Sequence, residues 1–116
     1  MGWDRNNVDA WISRASQLLE SFEFTGSMED LDAAIKELQQ ISSLLLHDDN
    51  CQSRVLNNLG AALTRRGERL NSLNDIQAGI KALQATLRFF LVDPHERGKV
   101  FINIGTGWMN CYDRFG

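Results

Sequence analysis

The residues best suited to chemistry in this chain are few and scattered. His47-Asp48-Asp49-Asn50-Cys51 groups potential metal ligands. They crowd one helix start with no matching partner set elsewhere, whereas a structural zinc site closes a tetrahedron with four ligands. The segment reads better as a solvated helix cap. His95, the only other histidine, falls at the second position of a helix opened by Asp93-Pro94, an exposed place rather than that of a general base. Gly105-Thr106-Gly107 is a small-residue run inside a helix and suits close packing better than a phosphate cradle. No nucleophile elbow, phosphate loop or zinc motif occurs. Cys51 and Cys111 stand alone without a C-x-x-C partner, and free thiols of a reducing compartment are expected. The expectation is a protein that is not an enzyme, with no cofactor and no metal.

The bulk composition points the same way. A net charge of −3 lacks the basic excess of a nucleic-acid binder, so no nucleic-acid partner is expected. Arg65, Arg66 and Arg69 are the only concentrated basic feature, and Glu68 dilutes it. Cations favour the negative C-terminal end of a helix, so the cluster is read as helix chemistry and not as a phosphate site. The longest apolar run, Ile41 to Leu46, is interrupted by Ser42 and Ser43 and is far short of a bilayer span of about 18 residues. Met1 to Asn7 carries Asp4 and Arg5 and lacks a signal-peptide core. A cytoplasmic location away from membranes is therefore expected.

An internal repeat organises the elements that must position these residues. Ser27-Met28-Glu29-Asp30-Leu31-Asp32-Ala33-Ala34-Ile35-Lys36-Glu37-Leu38-Gln39 aligns with Ser72-Leu73-Asn74-Asp75-Ile76-Gln77-Ala78-Gly79-Ile80-Lys81-Ala82-Leu83-Gln84 at an offset of 45, with seven identical pairs. Arg54-Val55-Leu56-Asn57-Asn58-Leu59-Gly60 aligns with Lys99-Val100-Phe101-Ile102-Asn103-Ile104-Gly105 at the same offset of 45. Two separate blocks with one spacing define a period.

The repeated blocks predict helices. Leu31, Ala34, Ile35, Leu38, Ile41 and Leu45 form one helical stripe, and Ile76, Ile80, Leu83, Leu87 and Phe90 form its second copy. Both copies open with Ser-x-x-Asp, a capping box in which serine accepts from the N3 amide and aspartate reaches back to the serine N–H. Asp93, Pro94 and Glu96 start the last helix in a similar way. Five helices follow, at 7–23, 28–46, 50–69, 73–91 and 94–114, in one all-α domain over 1–116. Its units span 8–46 and 53–91, with a half unit at 98–116. The short turns make successive helices antiparallel neighbours, stacked as a short α-solenoid.

Leu59-Gly60, Leu63, Ala78-Gly79-Ile80, Leu83 and Asp93-Pro94 resemble the Leu-Gly, Tyr, Ala, Phe and Pro landmarks of the tetratricopeptide (TPR) repeat. In that family the small residue after leucine lets the paired helix approach, a role that falls on Gly60 and Gly105. The period of 45 exceeds the usual unit of about 34 residues. It is similar to the long repeats of kinesin light chains. It is more similar still to fungal arrays in which Asn-Asn-Leu-Gly precedes an Arg-rich helix end and a Ser-Leu-x-Asp turn, here Asn57 to Gly60, Arg65 to Arg69 and Ser72 to Ile76. In such proteins the array often precedes a caspase-like CHAT peptidase domain.

The resemblance implies a protein-binding scaffold whose first helices line a concave groove. Counted from the Leu-Gly landmark, the groove positions are Arg54, Asn57, Asn58, Ala61 and Arg65, then Lys99, Ile102, Asn103 and Thr106, with Ser13 and Ser16 in the first unit. Asn58 and Asn103 share a phase, so their amides would stack as a ladder able to hold an extended peptide backbone. Arg54 and Lys99 also share a phase and suit an acidic peptide or a C-terminal carboxylate. Asn58 and Lys99 fall on positions of the family's carboxylate clamp, while Ile12, Ser16 and Asn103 replace its other residues. The alternative is that these side chains merely solvate the groove.

The phase of the array carries one more expectation. Helix five aligns with helix three, so it is the first helix of a unit whose second is missing: the chain is a fragment of a longer array, or helix five is its cap. A cap has a polar outer face, but Phe101, Ile104, Trp108 and Tyr112 form an apolar stripe, which favours self-association through the C-terminal helix or continuation of the array. Trp11 and Trp108 are expected to pack between helices, Trp108 in the place of Leu63.

Overall fold

A computed structural model of the protein describes residues 7–45, 49–89 and 94–116. Five helices account for nearly all of them: α1 (Val8–Thr25), α2 (Met28–Leu44), α3 (Asp49–Leu70), α4 (Leu73–Thr86) and α5 (Pro94–Phe115). The fold is all-α, as the stripes require, and no strand occurs among the described residues. Each helix packs on the next in sequence, and α1 also touches α3 while α3 touches α5. The odd helices thus share one side of the molecule. Its shortest dimension of 21 Å matches about two helix diameters of ~10 Å.

The turns show how the chain reverses. Helix α1 runs on to Thr25 and stops at Gly26, whose φ of 74° allows its N–H to donate to Phe22 O at 2.6 Å. That left-handed position suits glycine because a side chain would be strained there. Asn71 fills the corresponding place after α3 with φ 54°, and the next amide, Ser72, donates to Gly67 O at 2.9 Å. Asparagine tolerates this conformation better than most residues.

Half of each expected capping box forms. Ser27 Oγ accepts from the Asp30 amide and Ser72 Oγ from the Asp75 amide, both at 3.3 Å. The aspartates go elsewhere. The Ser27 amide donates to Thr25 Oγ1 instead, and Asp30 accepts the Ser21 hydroxyl at 2.6 Å. Asp75 accepts from Arg66. Each aspartate therefore ties its helix start to the residue nine positions earlier, near the end of the preceding helix.

Helix α4 ends at Thr86, short of the expected 91. The amides of Leu87, Arg88 and Phe89 donate three residues back, to Gln84, Ala85 and Thr86, which tightens the chain out of the α-helical ladder. The expected stripe residue Phe90 lies outside the described residues.

Apolar burial fuses the layers. Leu31, Ala34, Ile35, Leu38 and Ile41 are buried along α2, and Ile76, Ile80 and Leu83 along α4. Ile12, Ala15 and Phe22 of α1 join the α2 stripe and Val55, Leu59, Ala62 and Leu63 of α3 in one core. Trp11 packs against its edge, as expected. Helices α3 and α4 cross closely at Gly60 and Gly79. A Cβ on Gly60 would lie 2.9 Å from Gly79 O, and one on Gly79 would lie 2.8 Å from Gly60 O. Backbone meets backbone there, so the role expected for Gly60 is real.

Gly105 does not share that role. Among the described residues, no other element comes within 4 Å of a Cβ built on it. Gly107 is the packed glycine of α5, with Ile80 Cγ1 at 2.8 Å from its virtual Cβ. The helix offers its inner side to α4 through Gly107, and Gly105 faces outward. No helix of the described residues lies on that side. Trp108 is corrected for the same reason. It is 52% exposed, while Leu63 at the matching position of α3 is 6% exposed and belongs to the core.

Candidate interaction surfaces

Most of the charged and amide residues singled out by sequence lie along the α1–α3–α5 side, and most are engaged within the chain. Arg54 is exposed and pairs with Asp9 of α1 at 2.7 Å. One turn on, half-buried Asn58 donates from Nδ2 to Ser16 Oγ at 3.3 Å. Arg65 pairs with Glu23 at 3.2 Å. These three contacts form a polar seam between α1 and α3. Neighbouring Asn57 is half-buried, and its Oδ1 has no hydrogen-bond partner. On α5, exposed Lys99 pairs with Glu96 one turn away at 3.7 Å, and Asn103 is half-buried. Thr106 turns its hydroxyl back to Ile102 O. Asn58 thus engages Ser16 of α1 through its amide nitrogen.

The seam recurs one helix further along. Asn110 Nδ2 donates to Glu68 Oε1 at 2.7 Å, and these two residues are the 45-residue counterparts of Arg65 and Glu23. Helix α5 thus lies against α3 through the same pair of positions that hold α3 against α1. Arg114 adds a hydrogen bond to Asn71 at 3.2 Å.

The arginines near the end of α3 all find partners within the chain. Arg66 donates twice to Asp75, at 2.8 and 3.1 Å, and once to Asp32 at 3.3 Å. It joins α3 to the starts of α4 and α2 with only a quarter of its side chain exposed. The forked guanidinium matches a carboxylate in this way. Hydrogen bonding to Asp75, against the opposing effect of burial, holds its pKa above the usual arginine value. Arg69 lies over the Phe22 ring, 5.5 Å from its centroid. Helix-end electrostatics alone did not reveal these partners. A signal was nevertheless present: Ser21 to Asp30 and Arg66 to Asp75 have one spacing, 45 residues apart.

The second surface is the outer side of α5. Phe101, Ile102, Trp108, Met109 and Tyr112 are all more than half exposed. Large side chains ordinarily supply core area, and a contiguous exposed group of them marks an interaction site more often than scattered ones do. His95 is exposed at the start of the same helix. His47 and Asp48 lie outside the described residues. Both cysteines are half-buried and not joined in a disulfide, and no helix among the described residues is long and apolar enough to cross a membrane. No family model, curated protein or solved structure matches the chain.

Proposed function

We propose that this chain is a protein–protein interaction scaffold of tetratricopeptide-like build, taking a peptide or partner domain along the α1–α3–α5 side. The observation that supports this best is the paired placement of cations and amides on two successive odd helices. Arg54 and Lys99 are exposed, and Asn58 and Asn103 lie half-buried beside them. Salt bridges at such exposed positions stabilise a fold by about 0–1 kcal/mol. An incoming carboxylate can therefore displace Asp9 from Arg54, or Glu96 from Lys99, at little cost to the fold. The chemistry favours an acidic peptide, held by its backbone at the amides and by its charge at the cations.

The test uses fluorescein-labelled acidic peptides ending in a free carboxylate, titrated into the whole chain. Lys99→Glu should weaken binding about tenfold, the equivalent of ~1.4 kcal/mol. The double change Asn58→Ala with Asn103→Ala should weaken it further while helix content by circular dichroism stays unchanged. Equal binding of acidic and neutral peptides, or a loss of helix parallel to the loss of binding, contradicts the reading.

A second reading, a structural or assembly role through α5, is favoured by the exposed aromatic face of that helix. It needs no peptide ligand.

A further inference from the structure

We propose that the outer face of α5 is a docking site for an amphipathic helix of α4-like character, seated as α4 is seated on α3. The inference rests on the assembly reading and names its occupant. The α3–α4 interface supplies the pattern. There Gly60 admits Leu83 and the Gly79 backbone, while Gly67 lies against Ile76 and the Ser72 carbonyl. Translated by 45 residues, Gly60, Leu63 and Gly67 become Gly105, Trp108 and Tyr112. Those three residues lie on the outer side of α5, and among the described residues no other element comes within 4 Å of where a Gly105 Cβ would be. Helix α5 already meets its inner neighbours as α3 does, through Gly107 against Ile80 and Asn110 against Glu68. Its outer face therefore continues an interface that the fold has built once, with a notch of the same kind at the crossing point.

Departures from α3 say what the partner must look like. Tyr112 stands where Gly67 admits Ile76, so the incoming helix carries a small residue at that point. Cys111 stands where Arg66 holds Asp75, so no acidic anchor is required at its start. A small residue facing Gly105, with a leucine one turn further on, matches the remainder. The occupant is a helix resembling α4 in its second half and slimmer in its first.

The probe is a fluorescein-labelled peptide with the sequence of residues 72–87, titrated into the intact protein by anisotropy. Saturable binding is expected. Gly105→Leu should weaken it at least tenfold without lowering the melting temperature, because the added side chain enters open space in the free protein. Tyr112→Ala should tighten it several-fold. Binding indifferent to Gly105→Leu means the peptide has exchanged with α4 in its own place, and overturns the inference. Tyr112→Ala that weakens binding also overturns it. Light scattering across protein concentration separates the remaining outcomes. A dimer that the peptide fails to dissociate means a second copy holds the face, which overturns the inference and leaves the assembly reading standing. A monomer at every concentration that does not bind the peptide overturns both.

Discussion

Helices α3 and α5 are built to one pattern and meet different fates. On α3, Gly60 and Gly67 are closed by α4, and Leu63 between them is buried as well. On α5 the corresponding Gly105, Trp108 and Tyr112 are exposed. The inner sides of the two helices are alike, with Val55 and Val100 both fully buried. Burial on the outer side is thus a property of the neighbouring helix and not of the pattern itself. A glycine that permits close approach and a glycine that awaits it are the same residue in sequence.

That contrast can be probed by truncation. Leu63→Ala removes a buried side chain and should cost about 2–5 kcal/mol, measured by urea denaturation. Trp108→Ala at the matching exposed position should cost no more than about 0.5 kcal/mol. Equal costs would mean that α5 is covered in solution.

The helix-start clamps sharpen the comparison. Arg66→Ala removes hydrogen bonds to two carboxylates and leaves Asp75 without its main partner, so a loss of about 1.5 kcal/mol is expected. Cys111→Ala, at the equivalent place on α5, should change stability by less than about 0.5 kcal/mol. A loss from Cys111→Ala as large as that from Arg66→Ala breaks the distinction. Ser72→Ala removes a working cap and should cost about 1 kcal/mol. Asn7→Ala should be near neutral, since the Asn7 side chain makes no cap hydrogen bond. At the exposed Arg54–Asp9 pair, Arg54→Ala should cost less than about 1 kcal/mol and less still at high salt.

What was legible in sequence follows from what is local. Helix starts at Ser27 and Ser72 depend on one hydroxyl and one amide three residues on, so a short motif reveals them. The apolar stripes of α2 and α4 reveal their buried sides because a helix has only one period. The end of α4 was misplaced because three successive i→i−3 amide bonds leave no mark in hydrophobic patterning. The 45-residue period gives Gly105 and Trp108 the environments of Gly60 and Leu63 only where a further helix packs on α5. No short motif announces the partners that Arg54, Asn58 and Arg65 find on α1. Asp9, Ser16 and Glu23 sit in the helix where the repeat is weakest. Arg66 was read through helix electrostatics, although its nine-residue spacing to Asp75 repeats that of Ser21 to Asp30.

The most direct test of the account is a paired denaturation of Gly60→Ala and Gly105→Ala, repeated over a range of protein concentrations. Gly60→Ala drives a Cβ into the α4 backbone and should destabilise by about 1–3 kcal/mol. Gly105→Ala meets open space in a helix interior and should stabilise by about 0.5–1 kcal/mol. Opposite signs at every concentration are the predicted result. A loss of stability from both changes would contradict the account, because it would place a covering element against Gly105 in the isolated chain.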